Sequence, residues 1–350
     1  MNVYGSRFDL FIRTYFWQIA ALVLIVLSAY EAFLYGISPA GWDPLVMSAV
    51  VALIAGMWLG LRLVERVLPT LQRLEARGSL EGDAAELAAL VSDRADRYAG
   101  SAGVVVGALL FVSYSAVYLG DGRLPQDMPL VLAASLGGYL GGRVIGRMVA
   151  VGQLGSIIRG DTRWSLRPQL ASLDGAAGLA PVGHLFFRQA SVLFIPAVFL
   201  MVWWLIIPLM PRYADWRPWY MAFLIVAIGL ELIAFVWPMW SFHVQMKEFR
   251  DRQLIDVEAE VSHRLAEIEP LLVSTHDAAD RAALKQEIGV LRERYASVTQ
   301  CPTWPVDRRV RRKFSIRNLV LLVPLVIKLV DLDQFWSDVA GVLGRILGED

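Results

Sequence analysis

Hydrophobic positions in this chain come in long unbroken blocks between charged stretches, where a soluble helix or strand would place them at every third or fourth, or every second, residue. Blocks of about 20 apolar residues, the length that crosses roughly 30 Å of hydrocarbon, fall at 16–37, 44–64, 99–119, 129–150, 190–210 and 218–240. Aromatic residues flank them as at a membrane–water boundary: Tyr15, Phe16 and Trp17, then Trp42, Tyr98, and finally Trp216, Trp219 and Tyr220. The pattern predicts an all-α polytopic membrane protein with six transmembrane helices.

The connections alternate in character. Residues 38–43, 120–127 and 211–217 are short, turn-like and poor in net positive charge, whereas the others carry Arg62, Arg66, Arg73, Arg77, Arg94 and Arg97, then Arg143, Arg147, Arg159, Arg163, Arg167 and Arg188. Positive charge accumulates on the cytoplasmic side, so the sequence predicts a multi-pass protein of the cell membrane with both termini inside. The predicted membrane domain is 1–243, with cytoplasmic loops at 65–98 and 151–189. Within them, 67–97 reads as short surface helices broken at Gly78 and Gly82, and 152–188 as a loop with at most one short helix.

From Lys247 the composition turns charged. Leu254, Val257, Val261, Leu265, Ile268 and Leu272 recur at helical spacing, as do Leu284, Ile288, Leu291 and Tyr295, with a turn and helix start at Thr275–Asp280. Residues 244–300 are therefore expected to form a cytoplasmic helical hairpin, with an intersubunit coiled coil as the alternative. Pro302 and Pro305 end that run, and 301–350 is read as a basic linker followed by a membrane-associated segment. Arg308, Arg309, Arg311, Arg312 and Lys313 precede an apolar stretch, Leu319–Ile327, that is short for a crossing and contains Pro324. An interfacial or re-entrant segment is favoured, the basic cluster facing anionic membrane lipids; a seventh crossing, or a helix packed on the hairpin, are the alternatives.

Composition sharpens this in three places. A mean hydropathy of +0.50 suits a membrane domain of that size, and a formal net charge of +0 predicts no nucleic-acid partner. The single cysteine, Cys301, excludes an intrachain disulfide and a cysteine-only zinc site. Arg7, Asp9 and Arg13 precede the first apolar block without a convincing cleavage signal, so a retained first span is expected.

Candidate chemistry lies at membrane depth. Glu231 interrupts the run Ala227–Trp237, and Glu31 sits toward the outer end of the first block; a carboxylate there lines a polar path, pairs, or is protonated. Tyr114 and Tyr139, with neighbouring serines, are further polar candidates, the simplest role being bonds between helices. Gly56 and Gly60, and the series Gly138, Gly142 and Gly146, mark faces for close helix approach, within one chain or between chains. No phosphate loop, zinc-binding His pair or nucleophile turn is present, and the four histidines are dispersed, so no catalytic residue, metal or cofactor is assigned. The leading expectation is an oligomeric ion channel or small-solute transporter. A noncatalytic scaffold or signalling effector with a cytoplasmic protein partner on 244–350 is the runner-up, and an intramembrane or lipid-modifying enzyme the third class.

Overall fold

The computed structural model describes residues 14–35, 43–120, 124–169, 172–210, 213–214, 217–274 and 277–329. Its helices are α1 (Phe16–Tyr35), α2 (Pro44–Glu65), α3 (Val67–Ala76), α4 (Ala84–Gly120), α5 (Leu124–Gly152), α6 (Leu154–Gly160), α7 (Ala180–Ile206), α8 (Arg217–Ser274), α9 (Ala278–Thr299), α10 (Arg308–Leu321) and α11 (Val323–Leu329). Two short strands, β1 (Leu80–Glu81) and β2 (Ser165–Leu166), complete the order. Among the described residues four helical stretches are long and apolar enough to cross a membrane: Pro44–Ala76, Ala84–Ala116, Ala180–Leu209 and Arg217–Ser274. Large apolar side chains point outward along them, including Val104, Leu109 and Val112 on α4 and Phe223, Val226 and Ile233 on α8. Such a contiguous exposed apolar surface has its counterpart in lipid.

Glycine decides how closely α4 and α5 approach. A Cβ added at Gly142 or Gly146 would overlap the Ala102 or Tyr98 carbonyl, and one at Gly103 would lie 3.0 Å from Tyr139 O. The glycine series is thus used within the chain. Gly60 packs α2 onto Val144 of α5, and α1 meets α2 through Phe16 and Trp58, whose ring centroids are 5.1 Å apart. At the other end of α2, Asp43 caps the helix and accepts from Tyr213 Oη at 2.7 Å, while Trp203 Nε1 donates to Ser48 Oγ at 2.8 Å, tying α2 to α7.

The loops at 65–98 and 151–189 contain the short helices α3 and α6 but depart from the expected surface position. They share one core: Leu71 and Leu74 of α3, Leu87 and Val91 of α4, Leu154 of α6, Trp164, and Phe186 and Phe242 from α7 and α8. β1 and β2 pair antiparallel, Leu80 opposite Leu166 and Glu81 opposite Ser165. The breaks at Gly78 and Gly82 stand, with φ of 68° and 101°, a region where glycine has no Cβ penalty. Neither loop alone shows the partner its apolar positions bury against; burial comes from combining them.

α8 is the second departure. It runs for 58 residues through Pro238 and Pro270, where the sequence ends the sixth apolar block at 240 and begins a separate hairpin at 244. A proline inside a helix frees the carbonyl four residues earlier; here Gln189 Nε2 of α7 donates to Ala234 O at 3.2 Å, which satisfies the freed group and lets the helix continue. Beyond the membrane segment Val257, Val261 and Ile268 of α8 pack against Leu291 and Val298 of α9, which folds back after an N-cap at Asp277.

The third departure is the C-terminal segment, expected to lie at or dip into one face. Asp307 stands beside His184 at 3.5 Å, Arg317 reaches Ser191, Leu321 packs with Ala197, and Leu325 and Ile327 join the cluster around Trp203 and Ile207. α10 and α11 therefore follow α7 from its first turn to its last.

Candidate functional site

Glu231 lies on α8 with no exposure, and its partner is Arg317 of α10, 86 residues away, whose Nη2 donates to Glu231 Oε1. Arg317 Nη1 donates to Ser191 Oγ at 2.6 Å, and Ser191 in turn donates to Phe187 O at 2.8 Å. The guanidinium carbon sits 4.7 Å from the ring centroids of Phe187 and Phe194 and 5.4 Å from that of Phe314. Cation–π attraction strengthens when the cation is desolvated, and the Arg317 side chain keeps only 11% of its exposure. The charge on Glu231 is thus neutralised by a fixed cation from another helix, whereas its own helix carries none between Arg217 and Lys247.

The pair is incompletely satisfied. Glu231 Oε2, Arg317 Nε and Asn318 Oδ1 are buried with no hydrogen-bond partner among the described residues. A few residues along α8 and α10, Phe235 and Phe314 stack with centroids 4.0 Å apart at 21° and close one side of the site.

On the hairpin side of the site the chain forms a corner. His243 Nδ1 lies 2.8 Å from Thr303 O; a carbonyl only accepts, so Nδ1 carries the proton. The same imidazole stacks on Trp304 with centroids 4.4 Å apart at 22°, and Trp240 packs edge-on against Trp304. A Cβ on Gly183 would overlap Pro305 O, so the corner is also pressed against the start of α7.

The other sequence candidates are not gathered here. The Glu31 side chain lies outside the described residues. Tyr114 is exposed. Tyr139 packs on Gly103 and Gly107 and its hydroxyl accepts from Arg143 Nη1 at 3.2 Å on its own helix. Ser135, expected to bond across helices, donates to Val131 O at 2.6 Å within α5. Arg308, Arg309, Arg311, Arg312 and Lys313 are all exposed on the first turns of α10. Sequence reasoning named that group and passed over Arg317, four residues further on. Among the described residues no set of three or more His, Cys, Asp or Glu side chains is placed to share a metal ion. An open cleft of about 390 Å³ lies where α6 and β2 meet α8, lined by Arg159, Asp161, Trp164, Gln245, Glu248 and Arg252, with Arg159 and Glu248 paired at 2.8 Å across it.

No family model, curated protein or solved structure matches this chain. The reading of its function rests on the geometry above.

Proposed function

We propose that this protein is a noncatalytic scaffold or signalling effector of the cytoplasmic membrane, in which the α8–α9 hairpin receives a cytoplasmic partner and the membrane helices register that event. The observation that carries this reading is a closed loop in the chain. α8 runs without interruption from the depth of Glu231 to the hairpin, α9 returns, and the corner at Cys301–Pro305 sends α10 back so that Arg317 binds Glu231 on the helix where the loop began. Displacement of the hairpin therefore bears on a charge pair within the membrane domain. In this reading α1, α2, α4, α5, α7 and α8 supply six crossings, the arginine-rich loops and hairpin face the cytoplasm, and 244–300 is the partner-binding domain.

A second reading, an oligomeric ion channel or small-solute transporter, is favoured by the unsatisfied buried atoms beside the pair, which a water or a polar solute would complete. Since the glycine faces of α4 and α5 are occupied within the chain, an oligomer in this reading would assemble through other surfaces.

Flux in proteoliposomes separates the two. The effector reading expects no protein-dependent flux of common ions or small polar solutes, and a saturable partner captured from mild-detergent membranes that is lost when Val273 and Val290, 81% and 58% exposed on the hairpin, are both changed to Glu. Protein-dependent flux that changes with Glu231→Gln would instead place the chain among transporters.

A further inference from the structure

The segment after the corner lacks the composition of a membrane span. Five of its first six residues, Arg308, Arg309, Arg311, Arg312 and Lys313, are basic, and the stretch that follows, Ser315–Leu329, is short and holds Arg317, Asn318 and Pro324. Yet its contacts climb α7 in register: Asp307 with His184, Arg317 with Ser191, Leu321 with Ala197, Ile327 with the cluster of Trp203 and Ile207. From Phe314, the first residue beyond the basic group, to Leu329 the helical rise is about 22 Å, short of the roughly 30 Å of hydrocarbon by an amount that local bilayer thinning and the reach of the flanking Arg and Lys side chains accommodate. Its free face is apolar too: Ile316, Leu319, Val320, Val323 and Val326 are all exposed, as on the outward faces of α4 and α8.

We propose that residues 314–329 cross the membrane parallel to α7, that Glu231 is the residue that makes this crossing possible, and that the chain consequently leaves α11 at the face opposite the hairpin. An arginine in a membrane helix disfavours insertion, most at the centre and less toward the ends. Arg317 escapes that penalty because Glu231, Ser191 and the rings of Phe187, Phe194 and Phe314 form a prepared receptor for its guanidinium. The dependence is mutual, for without Arg317 the buried Glu231 has no counter-charge. The five basic residues stay on the hairpin side, as cytoplasmic topology markers would. This places the end of α11 on the outer side, and it holds whether the protein is an effector or a transporter.

The test labels single cysteines with a membrane-impermeant maleimide from each side of oriented vesicles, in the full chain with Cys301→Ser. Leu329→Cys at the end of α11 is expected to react from the side opposite Val273→Cys on the hairpin. Reaction of both from one side would overturn the crossing, without bearing on partner capture or flux. Adding Glu231→Leu is expected to lower the ratio of opposite-side to hairpin-side labelling of Leu329→Cys by roughly tenfold to a hundredfold, and adding Arg317→Leu to Glu231→Leu is expected to restore it. An unchanged ratio in Glu231→Leu would overturn the dependence on the pair. Should Glu231→Leu yield no folded protein, the double variant decides: recovery with opposite-side labelling supports the proposal, and failure to recover overturns it.

Discussion

Replacing Gly146 by alanine tests whether the α4–α5 contact is set by backbone against backbone. The added methyl group would overlap the Tyr98 carbonyl and stand 2.7 Å from Ala99 N, and neither atom can swing away as a side chain would. The helices must separate locally, which also disturbs the contacts of Gly142 and Gly103 one and two turns further along. Overpacking of a tight interior costs about 1–3 kcal/mol, and the upper half of that range is expected because the obstacle is main chain. Gly141 is the internal control: on the same helix, it has open space where its Cβ would go. Alanine there changes helix propensity alone, by about 0.5–1 kcal/mol in water, and by less where the unfolded state in detergent keeps its helices. Reversible unfolding in mixed micelles, followed by tryptophan fluorescence, compares the two. Gly146→Ala should unfold at clearly lower denaturing detergent than wild type and Gly141→Ala at the same point or above. Equal midpoints for the two variants would refute the idea that glycine spacing sets the approach of these helices.

Asp174 organises the turn before α7. Burial pushes its carboxyl up, but hydrogen bonds from the Gly178, Ala176 and Ala180 amides and from Ser172 outweigh that and hold it below the usual carboxylate range. A depressed folded pKa gives stability that is present above the unfolded value and lost as pH falls through the folded one, so Asp174→Ala should cost about 1.5–3 kcal/mol at neutral pH and progressively less in acid, read as thermal unfolding against pH. In the hairpin, Ile268→Ala should lower the unfolding midpoint by the equivalent of about 2–4 kcal/mol, because the side chain is 1% exposed in the α8–α9 interface. Arg264→Ala should leave that midpoint nearly unchanged, since the pairs from Arg264 to Glu287 and Glu267 lie in solvent; the reverse order would contradict the assignment of the hairpin's stability to its apolar seam.

How much was legible depended on whether a residue announced itself alone. Glu231 did, as one carboxylate in an apolar run, and so did Gly78 and Gly82, because breaks in a helical pattern need no partner to be read. Arg317 did not. Its partner is 86 residues away, and beside five other basic residues it resembled the edge of a topology signal. The same limit hid Gln189, whose reason for burial is a carbonyl freed by Pro238 on another helix; the nearest sequence signal was the proline itself, close to the end of the sixth apolar block. The burial shared by the loops before α4 and before α7 was hidden for a related reason. Periodicity reports the face one element presents to a core, and here the core is assembled from several short pieces, none of which alone shows the partner its apolar positions bury against.

Pro238 has a mechanical consequence for the closed loop. It lies between Glu231 and His243 on α8, so the helix is weakest in bending between the charge pair and the corner, with one backbone hydrogen bond missing at that point. The corner ties the origin of α10 to α8 on the hairpin side of this weak point, through His243, Thr303 and Trp304. Met239, Phe242 and Met246, beyond Pro238, are buried in the core shared with α3, α4 and α6, so a tilt of the hairpin about Pro238 carries the base of α10 with it only as far as that packing yields. α8 and α10 are neighbours through Phe235 and Phe314, and packed helices stand about 8–10 Å apart. At that separation a tilt of about 10° slides one helix along the other by roughly 1.5 Å; for a bond of about 2.8 Å running between the helices this lengthens the contact to about 3.2 Å, which weakens a charge-assisted hydrogen bond without breaking it. A modest movement of the hairpin thus weakens the contact between Arg317 and Glu231, and a larger tilt is needed to part the two side chains.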